Sequence, residues 1–258
     1  MHVSAAQRSD LSFGVMVHAG RFAAIMLALW VAPALGIGGW YMGLFVNIVC
    51  CAYAVALVSY YRLWHVIGVG VPWRGRTAAL LLLVPLAEAL MWVLPRGLVE
   101  QPPGWGLWAL TLLLVGFNEE LISRGVVLNR LRRSFSAYPA VILTAALFGL
   151  QHLSAFATTG RGTWDILSNV AVSACYGFAL AAFQYRFAWI WPLMLIHALA
   201  DFTTILARDQ HGDAVVVITL LVFIGFGVAV LRFRPAEATL PTDTPDGERA
   251  SSGHPHPG

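Results

Sequence analysis

Lysine is absent from this 258-residue chain; all 16 basic residues are arginine. That one-sided choice reads as compositional bias, of the kind a GC-rich bacterial genome imposes, and carries no mechanism. Charge of either sign is scarce. Asp, Glu, Lys and Arg together make up 11% of the residues, against about 25% in soluble domains, which excludes a soluble globular protein. The pI near 9.0 then comes from basic loops rather than from a solvated basic domain, and nucleic-acid binding is excluded with it. The three cysteines, Cys50, Cys51 and Cys175, lie in apolar segments at spacings that suit neither a metal site nor a disulfide framework, and read as small buried hydrophobes. Strand-period alternation does not recur at ~10-residue spacing, so an outer-membrane barrel is excluded. There is no internal repeat and no second domain.

What is present is apolar sequence. Hydrophobic residues make up 59% of the chain, and the mean hydropathy is +0.72. The expected fold is all-α, a polytopic transmembrane helical bundle of about eight spans. Those spans are expected at 22–36 (starting as early as Phe13, and then including His18 and Arg21), 40–60, 77–94, 105–128, 139–157, 166–184, 187–207 and 214–231. Residues 1–231 form the membrane domain, with a motif-bearing core at 105–207. Residues 232–258, rich in Pro, Ser, Gly, Asp and Thr, are expected to be a disordered cytoplasmic tail. Ala32-Pro33-Ala34 resembles a signal-peptidase site, but the leader before it is long and weakly charged, so a retained first helix is expected. Ser136 is expected to cap the fifth segment, and Pro139 suits its first turn.

Charge bias orients the bundle. With alternate loops on one side, one face collects Arg8, Arg62, Arg74, Arg76, Arg130, Arg132, Arg133, Arg186, Arg232 and Arg234. The other holds Arg96, Arg161 and Arg208. The positive-inside rule then puts both termini in the cytoplasm. The ten tryptophans fall mostly near segment ends, as interfacial anchors.

Within the fourth segment stands Phe117-Asn-Glu-Glu-Leu-Ile-Ser-Arg-Gly125. An ionisable group at mid-membrane costs roughly 2.5–3.5 kcal/mol on insertion scales, so this run is a functional-site hypothesis in need of partners from other helices. Two later segments supply them: Phe148-Gly-Leu-Gln-His152 and His197-Ala-Leu-Ala-Asp201. At 1.5 Å per residue, Glu119 lies roughly 14 Å, His197 about 15 Å and His152 about 20 Å from the cytoplasmic ends of their segments. The fourth, fifth and seventh segments must therefore be neighbours. Glu120 and Arg124, at i,i+4, can pair on one face. Glu119 is rotated by about 100° from Glu120 and points elsewhere, free to activate water.

Three motifs in order, E-E-x-x-x-R, F-x-x-x-H and H-x-x-x-(N or D), each on its own apolar segment, resemble the CPBP family. These are intramembrane metalloproteases that include the CAAX prenyl endopeptidases and bacterial proteins linked to bacteriocin processing and self-immunity. The resemblance covers about Leu107 to Leu206. It implies an intramembrane endopeptidase of the bacterial plasma membrane that hydrolyses a peptide bond of a membrane-associated peptide or protein substrate. Glu119 would be the general base, His152 would hold the water, and His197 and Asp201 would steady the oxyanion. Glu120 and Arg124 would form a supporting pair, and Phe148 would pack behind the histidine. Many relatives carry Asn at the position of Asp201. An ionised Asp repels an oxyanion, so Asp201 must be protonated, bind metal or orient His197. Glu119, His152 and His197 are a feasible Zn2+ set with an open position, although H-E-x-x-H is missing. The family is described both as metalloprotease and as metal-free glutamate protease, and both alternatives stay open.

Blander readings compete with each feature. Glu119, Glu120 and Arg124 can be a structural salt bridge, and either histidine alone a satisfied buried one. The chain can also be a catalytically silent scaffold or immunity protein, or a proton-coupled transporter. A transporter predicts repeats and broken helices around its site, neither of which the sequence displays. Glu88 on the third segment can line the cavity, bind substrate or pair with an Arg such as Arg21. Asn118 and Gln151 flank the motifs as supporting hydrogen-bonding groups. His211, His254 and His256 sit in a loop and the tail and form no site. The oligomeric state has no signature.

Overall fold

The structure, a computed structural model, describes residues 4–233. The expected disorder after residue 233 and the tail histidines His254 and His256 lie outside the described residues. The described part of the tail is helical up to Arg232.

The first helix, α1 (Ala5–Val31), begins well before the apolar run. Ser4 and Gln7 form a reciprocal capping box: the Gln7 amide donates to Ser4 Oγ at 3.1 Å, and the Ser4 amide donates to Gln7 Oε1 at 2.9 Å. Asp10, one turn in, pairs with Arg130 at 2.5 Å, so the polar start of the helix is fastened to the bundle. A 3-10 turn (Ala32–Leu35) leads to Gly36, whose φ of 72° ends the helix in the left-handed conformation glycine accepts. Helix α2 (Tyr41–Tyr60) follows.

The third expected segment is broken into α3 (Arg76–Leu81) and α4 (Leu83–Met91). Pro85 has no amide to donate to the carbonyl four residues back, which falls in α3, and its ring crowds that turn. Helix α5 (Trp105–Glu120) runs through a π-helical stretch (Leu121–Val127) into α6 (Leu128–Leu131) as one span. Helix α7 (Ala137–Leu150) is followed by a 3-10 turn (Gln151–Ser154) and α8 (Ala155–Thr158). Ser136 occupies the N-cap of α7 in extended geometry, but its side chain makes no capping bond. The chain closes with α9 (Thr163–Phe187), α10 (Ile190–Leu206) and α11 (Asp213–Arg232).

Among the described residues, six helical segments are long and apolar enough to cross a membrane: Ala5–Leu35, Tyr41–Tyr60, Trp105–Leu131, Ala137–Thr158, Thr163–Phe187 and Asp213–Arg232. With the broken α3–α4 pair and the 17-residue α10 they make up the eight expected segments; at 1.5 Å per residue α10 reaches about 25 Å of a ~30 Å hydrocarbon core. The first motif runs into the π-helical stretch and the second into the 3-10 turn.

Helix α5 packs on α10 and α2, and α9 packs on α7 and α11. The π-helical stretch, buried at all seven residues, joins the two groups by touching α1, α2, α7, α9 and α10. Close approach rests on small residues. A Cβ on Gly116 of α5 would lie 2.5 Å from the Met194 carbonyl of α10. Helix α10 is also fixed at both ends. Trp189 and Trp191 both donate their indole N–H to the Val71 carbonyl at 2.9 Å. At its far end the Val99 amide donates to Leu206 and the Arg208 amide to Gly97, at 2.8 and 3.1 Å.

Candidate active site

Glu119 and Glu120 are the last two residues of α5, and Arg124 lies one turn on, inside the π-helical stretch. The i,i+4 pairing is realised: Arg124 meets Glu120 at 3.0 Å, with both side chains fully buried. Arg124 also donates to the Gly177 carbonyl at 3.3 Å and lies over the Phe148 ring, 4.1 Å from its centroid. Gly177 makes room for this, since a Cβ there would sit 2.8 Å from Phe148 Cδ1 and 3.3 Å from Arg124 Nη2.

The same Glu120 oxygen that faces Arg124 accepts a hydrogen bond from His197 Nδ1 at 2.8 Å. A carboxylate only accepts, so the proton resides on Nδ1. The His197 ring is held edge-on between Phe148 and Tyr176, at centroid distances of 5.9 and 5.5 Å. Its Nε2 faces two carboxylates: Glu119 Oε2 at 3.9 Å and Asp201 Oδ2 at 3.7 Å. Both are too long for direct hydrogen bonds and leave room for a bridging atom. Asp201 is the most open of the charged groups here, with a third of its side chain accessible.

Glu119 does turn away from Glu120, but not into isolation. Its Oε1 accepts from Arg21 Nη2 of α1 at 2.7 Å, and Arg21 Nε donates to the neighbouring Asn118 Oδ1 at 3.2 Å. Each carboxylate therefore has its own guanidinium. Each carboxylate leaves one buried oxygen without a hydrogen-bond partner, Glu119 Oε2 and Glu120 Oε2; that of Glu119 is the one turned to His197 Nε2.

His152 stands at the margin, on the 3-10 turn after α7. Its Nδ1 donates to the Phe148 carbonyl at 3.0 Å, and Nε2 lies 3.4 Å from the Ser173 hydroxyl of α9. Phe148 connects the two histidines, with His152 5.4 Å away on its other side. The three motif segments thus meet, as their depths required, but α7 reaches α5 through the π-helical stretch and the Phe148 ring.

Several polar groups at the site lie outside the motifs. His18, three residues before Arg21, is 3.1 Å from the side-chain oxygen of Gln151, on the turn that carries His152. The Tyr176 hydroxyl is buried without a partner. Glu88 accepts from Trp92 Nε1 at 2.8 Å and lies within electrostatic range of Asp201 and His197. Of the alternatives open for Glu88, pairing with Arg21 is displaced, since Arg21 pairs with Glu119. Arg21 and Glu88 each carried a sequence signal, an ionisable group inside an apolar segment, but neither carried a hint of its partner.

Among the described residues no group of three or more His, Cys, Asp or Glu side chains gathers as a metal site. Glu119, His152 and His197 do not converge as the zinc set would require, and one oxygen of Glu119 is held by Arg21.

Residues 101–203 match a family model described as type II CAAX prenyl endopeptidase Rce1-like. The match covers less than half of the chain and likens that part of it to this family. It spans all three motifs and excludes α1, and with it Arg21, His18 and also Glu88 of α4. No curated protein and no solved structure matches the chain.

Proposed function

We propose that the protein is an intramembrane endopeptidase in which Glu119 Oε2 takes the proton of a water attacking a peptide carbonyl. The observation that carries this reading is the buried, unclaimed Oε2 facing His197 Nε2 across 3.9 Å, with Asp201 beyond it. A water or carbonyl oxygen bridges such a gap, where a direct bond does not form.

In this mechanism the base is one oxygen of a carboxylate whose other oxygen is tied. Proton removal and carbon–oxygen bond formation occur together, with His152 helping to hold the water. His197 carries protons on both ring nitrogens at that moment: Nδ1 stays on Glu120, and Nε2 donates to the developing oxyanion. Asp201 orients Nε2 rather than the oxyanion, because an ionised carboxylate repels that charge. The proton on Glu119 then passes to the leaving amine, and the peptide bond breaks. Glu120, Arg124 and Phe148 hold His197 in place.

The substrate is a membrane-associated peptide or protein, reached from the cytoplasmic side of a bacterial plasma membrane. With all eight helical segments crossing, α3–α4 and α10 included, the arginine asymmetry favours both termini in the cytoplasm.

The test compares wild type with Glu119→Ala in native membranes at equal protein level, mapping new protein termini by mass spectrometry. Termini found only with wild type support proteolysis and name substrates, and a chelator then separates metal-assisted from metal-free cleavage. Identical termini, under conditions where the protein has a phenotype, would favour a silent scaffold or immunity protein.

A further inference from the structure

We propose that α1 is part of the active site and that Arg21 is the positioning residue of the catalytic base, selecting which Glu119 oxygen faces the reacting water. The inference rests on the protease reading above.

A buried arginine in a spanning helix demands a partner, and Asp10, the acidic residue of α1, is already paired with Arg130. Arg21 finds its partners on α5. Its Nη2 reaches Glu119 Oε1 at 2.7 Å, and its Nε reaches Asn118 Oδ1 at 3.2 Å. Two bonds from one rigid fork to two successive residues fix the carboxylate in rotation as well as in place. Asn118 is itself fastened, donating to the Leu114 carbonyl at 2.6 Å and to Asn47 of α2 at 3.2 Å. With Oε1 held, Oε2 is left towards His197 Nε2. One turn earlier, His18 meets Gln151 on the turn that carries His152. One face of α1 therefore fastens both the base and the water-holding histidine. The matched segment begins at residue 101, so α1 lies outside it.

Arg21→Gln and Arg21→Lys are compared with wild type and Asp10→Asn, full length in proteoliposomes. The probe is a fluorogenic membrane peptide spanning a terminus mapped in the Glu119→Ala comparison. A base swung out of register by an ångström costs on the order of 100-fold in turnover. Arg21→Gln is therefore expected to lose about that factor in kcat, with KM within about threefold, the pattern of an interaction used in the transition state. Arg21→Lys keeps the charge but loses the fork, and its kcat falls between the two. Asp10→Asn loosens the other attachment of α1 and leaves kcat near wild type while lowering the melting temperature.

The proposal is overturned by an Arg21→Gln kcat near wild type, by a loss carried wholly in KM, by Arg21→Lys as impaired as Arg21→Gln, or by an equal kcat loss in Asp10→Asn, which would reduce Arg21 to docking α1. If Arg21→Gln does not accumulate in membranes, Arg21→Lys decides alone, since an unchanged kcat there overturns the fork. Failure of the protease reading is seen separately, as an absence of wild-type-specific termini.

Discussion

Glu119 and Glu120 are adjacent in sequence and both buried, each with an arginine, yet they sit in different kinds of structure. The Glu120–Arg124 pair is local: one turn of one span, fully buried, with its shared oxygen committed to both Arg124 and His197. The Glu119–Arg21 pair crosses from α5 to α1, and one oxygen stays uncommitted. Both acids keep one oxygen without a hydrogen-bond partner, but Glu119 turns that oxygen to His197 Nε2, whereas Glu120 meets His197 with the oxygen it shares with Arg124. The difference teaches that what the spare oxygen faces, rather than burial or charge, separates the supporting acid from the reacting one.

The sharpest way to break that comparison is to exchange the consequences. Glu119→Gln is expected to lower turnover by roughly 10²–10⁴-fold, the share a general base supplies, while the protein keeps its melting temperature in detergent to within a few degrees. If melting collapses and residual turnover scales with folded protein, the two acids are not different in kind. Glu120→Ala is expected to do the opposite and act first on stability. It strands Arg124 at zero exposure, and removing one partner of a buried pair costs about 3–5 kcal/mol. Denaturation in mixed micelles measures this, and a loss below about 1 kcal/mol would put Glu120 among surface-like pairs.

Gly177→Ala sharpens the boundary between the two. The added methyl meets Phe148 Cδ1 and Arg124 Nη2, and overpacking of this kind costs about 1–3 kcal/mol. Because Phe148 lies between both histidines, turnover is expected to fall further than stability alone explains. Tyr176→Phe is the smallest change. Its hydroxyl has no hydrogen-bond partner, so stability is expected to stay within about 0.5 kcal/mol of wild type, as for substitutions that remove no paired group. A larger loss would reveal a hydrogen bond, water-mediated or direct, made by that hydroxyl.

What could be read in the sequence follows the same division. Features set within one helical turn were legible: Glu120 with Arg124, Phe148 with His152, His197 with Asp201, and the divergence of Glu119 from Glu120. Depth counting also brought three helices to one level. Arg21 was visible as a misplaced charge, but its partner depends on how α1 packs on α5, which no spacing encodes. The π-helical stretch was illegible because nothing in the residue spacing of Leu121–Val127 separates a π-turn from an α-turn. The break before α4 is legible in Pro85, while hydropathy, which registers apolar character and not length, shows the third segment as continuous.

The two fastenings of α10 have a mechanical consequence. A helix of ordinary span finds its height in a bilayer from the lipid around it, and shifts when the bilayer thins or thickens. Helix α10 is too short for that, and its ends are tied to protein, to Val71 at one and to Gly97 and Val99 at the other. Its vertical position is thus set by the scaffold rather than by the surrounding lipid. His197 and Asp201 ride on it like marks on a suspended beam, level with the π-helical stretch whatever the thickness of the sea they hang in.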